Sequence, residues 1–325
     1  MNPPLDPQLT PLPWEAEQKE LLRAQHLTGA KYQVGKVLSR DELSTLFEAR
    51  DLSLHRRVAM KVMVLSRQPS AEDLLRFIQE AQVLSQLEHP TILPLYEVGA
   101  DEDSKAFFTV KFFEGETLEA ILQRLAKLDT ATRQAFPREK LLTLFRQVCD
   151  GIAHAHARGV IHRDLKPEHI LVGANGSVAI VDWGLAKFLR KGNAPKREAA
   201  LYQTMSGMIM GTPDFMSPEQ AEGHSDAADE RTDVYALGGI LYYMLALQPP
   251  ITGATLTEKI ENARTGNITP PAAVRRDVPR TLSKIAMKAL AYRTDERYQR
   301  VTDLQRDVEL ATKPGLFARL GSCCR

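Results

Sequence analysis

The stretch "HRDLKPEHI", residues 162–170, crowds charged and titratable side chains into a short segment and then runs directly into "ILVGANGSVAIVDWG", residues 170–184. The second segment is two β-rich runs around "ANGS", and Asn-Gly is a strong hairpin signal. A two-residue turn at Asn175 and Gly176 predicts antiparallel pairing that sets His169 opposite Asp182, with Asp164 in the loop just before the first strand. Asp164, His169 and Asp182 are therefore expected to converge at one end of one hairpin. Two carboxylates and an imidazole gathered in this way can hold a divalent metal and orient a nucleophile. The same spacing also fits a solvated turn with exposed acids, and spacing alone leaves both readings open.

Outward from this stretch, bulk properties bound the possibilities. The chain has 325 residues, 43% hydrophobic and 26% charged, an ordinary globular mixture. A net charge of +1 gives no global field favouring nucleic acid or an anionic membrane. The N-terminal "MNPPLDPQLTPLPWEAEQ" lacks an apolar core with basic flanks and does not read as a signal peptide. The longest apolar run, "YALGGILYYMLAL" from Tyr235 to Leu247, is too short to span a bilayer and reads as a buried helix. Three cysteines, two of them adjacent near the end, give no disulfide framework, so a reducing cytoplasm is expected. Cys149 belongs to a core stripe, and Cys323 and Cys324 to a tail.

Patterning divides the chain. Residues 1–30 are Pro-rich and read as a loose arm. From Tyr32 to about Val98 the pattern is strand-like, with "VAMKVMVL" rich in β-formers and one helix in "SAEDLLRFIQEAQVLSQLEH". That helix opens with a Ser70/Asp73 capping box and carries Leu74, Phe77, Ile78, Ala81, Leu84 and Leu87 at helical spacing. Beyond Glu114 the chain turns helical, with Leu141, Phe145, Val148, Ile152 and Ala155 forming one stripe. The expected layout is α+β: an arm at 1–30, a β-rich part at 31–113, a helical part at 114–312, a hinge near Lys111–Glu114 and a tail at 313–325. Glu80 borders the apolar face of its helix, and Lys61 interrupts an apolar strand. Each could neutralise the other, or both could be solvated at the edges of their elements.

These pieces, taken together and in order, resemble the eukaryotic-type serine/threonine protein kinases, including those found in bacteria. The resemblance covers roughly Tyr32 to Thr312 and implies a bilobal fold, ATP and Mg²⁺ as cofactors, and protein substrates. "VAMK" resembles the strand motif whose lysine, here Lys61, holds the ATP phosphates, and "FIQEAQVL" supplies its partner Glu80. By the same resemblance Ser39, Leu46, Ala59 and Leu171 belong to the nucleotide-binding set. In "HRDLKPEHI", Asp164 would accept the substrate hydroxyl proton and Lys166 would neutralise the γ-phosphate. "DWG" stands where the family has Asp-Phe-Gly, so Asp182 would hold the metal and Trp183 would serve as the apolar plug. "GTPDFMSPE" resembles the end of the activation segment. Thr212 within it, together with Lys166, favours Ser/Thr over Tyr substrates, and Glu219 should pair with Arg297. Asp233 should brace the catalytic loop. Arg163 is similar to the arginine that binds an activation-loop phosphate, for which Thr204 and Ser206 are candidates.

Two departures stand out. His169 replaces the family's metal-binding asparagine, and imidazole suits softer metals, so Mn²⁺ is a candidate beside Mg²⁺. "SRDELS", residues 39–44, occupies the span of the phosphate-covering glycine loop, 22 residues before Lys61, and contains no glycine. Glycines there let backbone N–H groups close over phosphates. Asp41 and Glu42 also bring negative charge, and two unit charges at ~6 Å repel by roughly 3 kcal/mol at an effective dielectric near 20. The expectation is a protein kinase with a weakened nucleotide grip. The alternative is a pseudokinase acting as a binding or scaffold module.

Overall fold

The computed structural model describes residues 31–41, 43–63, 70–100, 106–189, 212–224 and 227–313. The N-terminal arm, Glu42, Thr204, Ser206, Cys323 and Cys324 lie outside the described residues. The chain separates into two compact units, one reaching to Ser85 and including Pro94–Phe113, the other made of Gln86–Leu93 and the chain from Glu114.

The first unit is built on strands β1 (Tyr32–Arg40), β2 (Ser44–Asp51), β3 (Arg56–Met63), β4 (Leu95–Ala100) and β5 (Ala106–Lys111), with helix α1 (Ala71–Gln86). The strands form one sheet ordered β1-β2-β3-β5-β4. Period-two alternation sorts β3 onto two faces. Val58, Met60 and Val62 join Tyr32, Phe47, Ala49 and Phe107 in an apolar core. Ala59 and Lys61 point the other way. Leu46 pairs with Lys61 and Ser39 with Leu46, so these residues share that second face. Phe108, opposite Lys61, packs its ring on Phe77 of α1 at 5.0 Å between centroids. The capping box at the start of α1 is present: Asp73 N–H donates to Ser70 Oγ at 3.1 Å, and Ser70 N–H donates to Asp73 Oδ2 at 3.0 Å.

The second unit begins with β6 (Gly115–Thr117), α2 (Leu118–Ala126), α3 (Thr130–Ala135) and α4 (Arg138–Ala157). The charged loop follows β7 (Val160–Ile161) and leads into the hairpin of β8 (Ile170–Gly173) and β9 (Val178–Ile180), after which comes β10 (Lys187–Phe188). Helices α5 (Pro218–Ala221), α6 (Glu230–Ala246), α7 (Leu256–Thr265), α8 (Pro271–Val274), α9 (Arg280–Ala289) and α10 (Val301–Thr312) complete it. The expected stripe on α4 is buried throughout, as is Cys149. "YALGGILYYMLA" is the fully buried body of α6, and among the described residues no helix is long and apolar enough to cross a membrane.

The hairpin register differs from expectation by one residue. Ile170 pairs with Ile180 and Val172 with Val178, and Val181 N–H donates to the His169 carbonyl, so His169 stands opposite Val181 rather than Asp182. The connection has three residues, Ala174 to Gly176, because Gly173 pairs with Ser177 across the turn. Gly176 takes φ +78, the left-handed residue that a three-residue loop needs. Asn175 uses its side chain instead, accepting from the N–H and the hydroxyl of Ser177.

Candidate active site

In the first unit Lys61 Nζ lies 2.7 Å from Glu80 Oε2, with the two side chains only 17% and 7% exposed. Solvation at the edges of their elements is thereby excluded. At this depth each charge offsets the other, and removing either leaves a buried charge less compensated.

Strand β1 ends and β2 begins within the "SRDELS" segment. The Asp41 carboxylate accepts the N–H groups of Leu43 and Ser44 at 2.7 and 2.6 Å and the Ser44 hydroxyl at 2.6 Å. The charge expected to oppose a nucleotide is thus directed into its own turn, where it takes up backbone donors. Gly35 lies inside β1, and a Cβ there would come within 2.9 Å of the Glu48 carbonyl oxygen, so this glycine serves strand packing.

In the second unit the loop from His162 is held from α6. The Asp233 carboxylate accepts the N–H of His162 through Oδ2 and of Arg163 through Oδ1, both at 2.9 Å, and lies 2.7 Å from His156 Nε2. Burial pushes the Asp233 carboxyl up, but His156 and the amide bonds outweigh it and hold it below the usual carboxylate range. Arg163 takes φ +68, a left-handed conformation costing a non-glycine residue roughly 1–2 kcal/mol. Its Nε donates to the Leu185 carbonyl at 2.6 Å. Thr212 N–H donates to Asp164 Oδ1 at 3.2 Å, and Lys166 Nζ donates to Thr212 Oγ1 at 2.6 Å.

Asp164, His169 and Asp182 do converge, with one ligand atom of each within 4.8 Å of the others. Asp182 reaches the cluster through φ +62 rather than through strand register. His169 Nδ1 lies 2.8 Å from the Asp164 carbonyl oxygen, which can only accept, so this nitrogen carries a proton. His169 Nε2 faces Asp182 Oδ2 at 3.1 Å. Burial pushes the His169 pKa down, but the hydrogen bond and charge of Asp182, with the charge of Asp164, outweigh it and leave it raised. The donor set fits a divalent cation: two carboxylates suit Mg²⁺, and Nε2, the ring nitrogen turned into the cluster, can add affinity for Mn²⁺ once it gives up the proton that Asp182 favours. Trp183 is fully buried, and its ring lies 4.6 Å from that of His162, so it acts as the expected plug. Leu171 pairs with Thr117 and Ala179 in the sheet ordered β6-β8-β9.

Glu219 and Arg297 form the expected pair, bidentate at 2.8 and 2.7 Å, with the arginine side chain fully buried. A contact that the sequence reading missed is made by Gln220, whose Nε2 donates to the Arg163 carbonyl at 2.7 Å. The S-x-x-Q spacing of Ser217 and Gln220 signals a helix cap. Nothing in the sequence signals the second bond.

Comparison with known proteins agrees with this geometry. The protein kinase domain family matches residues 32–307. The serine/threonine-protein kinase PknD of Protochlamydia amoebophila (strain UWE25) is 35% identical over 293 residues, covering 86% of this chain and 29% of the relative. PknD of Chlamydia pneumoniae is 32% identical over 292 residues, covering 86% and 31%. PknD of Chlamydia trachomatis serovar L2b (strain UCH-1/proctitis) is 32% identical over 322 residues, covering 90% and 34%. The chain thus spans about a third of the length of these curated relatives. It belongs to the protein kinase domain family, among the bacterial-type serine/threonine kinases, and its β-rich N-lobe and helical C-lobe are those of the bilobal kinase fold.

Proposed function

We propose that this chain is a catalytically competent serine/threonine protein kinase with a weakened grip on ATP. The observation that carries the reading is the assembled loop in which Asp233 orders the backbone, Thr212 holds Asp164, and Asp164 meets His169 and Asp182. Asp164 accepts the proton of the attacking hydroxyl, and Lys166, already on Thr212, neutralises the transferred phosphoryl group. Lys61, oriented by Glu80, contacts the α- and β-phosphates, while Ser39, Leu46, Ala59 and Leu171 line the nucleotide. Asp182 and His169 hold the divalent cation, which when bound offsets phosphate charge. Imidazole in place of an amide oxygen favours Mn²⁺ over Mg²⁺. The weak grip follows from Asp41, which engages the turn amides that the family's glycine loop offers to phosphates. The acceptors are protein Ser/Thr hydroxyls, and Thr204 and Ser206 are the candidate self-acceptors, with Arg163 as phosphate partner.

The closed turn and the imidazole also favour a second reading, a pseudokinase that binds partners without phosphoryl transfer. Incubating the purified chain with labelled ATP and Mg²⁺ or Mn²⁺, beside Asp164→Ala, separates the two. Metal-dependent labelling that falls about a thousandfold in Asp164→Ala supports the enzyme. Equal labelling in both proteins, or none in either, contradicts it.

A further inference from the structure

The side-chain amide of Gln220 has both ends in use. Its Oε1 accepts from the Ser217 N–H at 3.2 Å and from the Ser217 hydroxyl at 3.0 Å, while its Nε2 donates to the Arg163 carbonyl at 2.7 Å. The orientation is forced, because a backbone N–H only donates and a backbone carbonyl only accepts. The peptide unit between Arg163 and Asp164 is therefore gripped at both poles. Gln220 holds its oxygen, and its N–H, on Asp164, donates to His162 Nδ1 at 3.3 Å. His162 is a fixed acceptor here. Its Nε2 faces the Val181 carbonyl at 3.2 Å, which places the ring proton on Nε2 and the lone pair on Nδ1.

We propose that Gln220 is a positioning residue for phosphoryl transfer, fixing the peptide plane from which Asp164 projects and tying the Ser217–Ala221 turn to the catalytic loop. Asp233 arranges the two preceding amides, and Gln220 completes the run at the Arg163 carbonyl. The same chain segment reaches the loop a second time through Thr212, whose N–H bonds the Asp164 carboxylate. The peptide borders a small recess shared with Thr212, Phe215 and Gln220, and its oxygen loses its Gln220 partner when the amide is removed. A turned peptide redirects Asp164, and misplacement of about 1 Å at a reacting group can cost on the order of a hundredfold in rate.

The rate readout rests on the kinase reading above, so the test includes one that does not. Gln220→Glu keeps an oxygen for Ser217 but replaces the donor with a second acceptor facing the Arg163 carbonyl. Ser217→Ala removes the hydroxyl and leaves the Arg163 bond in place. With casein as acceptor, Gln220→Glu is expected to lower kcat by about tenfold or more while KM for ATP stays within about twofold, and Ser217→Ala to keep kcat within about twofold. Amide hydrogen exchange in the peptide containing Asp164 and Leu165 is expected to quicken several-fold in Gln220→Glu alone. Gln220→Met, which drops all three bonds without adding charge, should show the same loss and serves if the glutamate variant does not fold. Wild-type kcat and wild-type exchange in both Gln220 variants overturn the proposal, as does a Ser217→Ala enzyme that reproduces the loss. If the wild type transfers phosphate neither to casein nor to itself, the kinase reading fails on its own and exchange decides the role of Gln220.

Discussion

Of the carboxylates that bind backbone amides, Asp41 and Asp233 do so with opposite consequences. Asp41 closes on the N–H groups of Leu43 and Ser44, two and three residues along the chain. Asp233 reaches the N–H groups of His162 and Arg163, about seventy positions away, from a fully buried place on α6. The local pair satisfies a turn and leaves it with fewer donors for any other anion. The long-range pair fixes a loop whose own carboxylate, the proposed base Asp164, lies near His169 and Asp182. What a carboxylate does to a loop depends on whether it is supplied from within or from outside. A loop braced from outside keeps its side chains available for chemistry, and a loop braced by its own side chain spends that group on itself.

The buried side of this contrast breaks most visibly at Arg297. Glu219 titrates below its usual value because Arg297 and neighbouring hydrogen bonds overcome the burial that pushes it up. Its contribution is therefore present above about pH 4.5 and lost as the pH falls through the lower folded value. Arg297→Met leaves a buried carboxyl without its partner and is expected to cost about 3 kcal/mol at pH 7. The dependence should also reverse. In the variant burial raises Glu219, so stability should fall as the pH rises from 4 to 7. Urea unfolding across that range checks both, and parallel curves for the two proteins would contradict the assignment.

On the nucleotide side, Lys61→Met removes the proposed phosphate contact and the ion pair with Glu80, so kcat/KM for ATP is expected to fall about a hundredfold. Steady-state rates at the wild-type level would remove Lys61 from the mechanism. The smallest effect belongs to His169. His169→Asn exchanges imidazole for an amide oxygen and should lower the ratio of Mn²⁺- to Mg²⁺-supported rates by about threefold or more. An unchanged ratio would mean that His169 serves only as a brace on the Asp164 carbonyl.

The parts that were legible in the sequence are those fixed by local rules. Ser70 and Asp73 announced the start of α1, the stripe from Leu141 to Ala155 announced a buried helix, and the positions of Lys61 and Glu80 announced a pair. The convergence of Asp164, His169 and Asp182 was also legible, though its geometry was not. Asn-Gly is compatible with two- and three-residue turns, and the choice made here shifted the register by one while φ +62 at Asp182 restored the meeting. Asp41 read as a repelling charge because net charge is visible in sequence and hydrogen-bond direction is not. Gln220 was illegible for a similar reason. One half of its amide follows from cap spacing, and the other half meets a carbonyl 57 positions away that only the folded chain brings near.

The central claim, catalytic machinery retained with a loosened phosphate grip, is tested most directly by initial rates against ATP concentration for the wild type and for Ser39→Gly/Asp41→Gly/Ser44→Gly. Freeing the turn amides and removing the Asp41 charge should lower KM for ATP about tenfold, with kcat within about twofold of the wild type. An unchanged KM, or a gain confined to kcat, would show that the turn does not govern how this kinase holds its nucleotide.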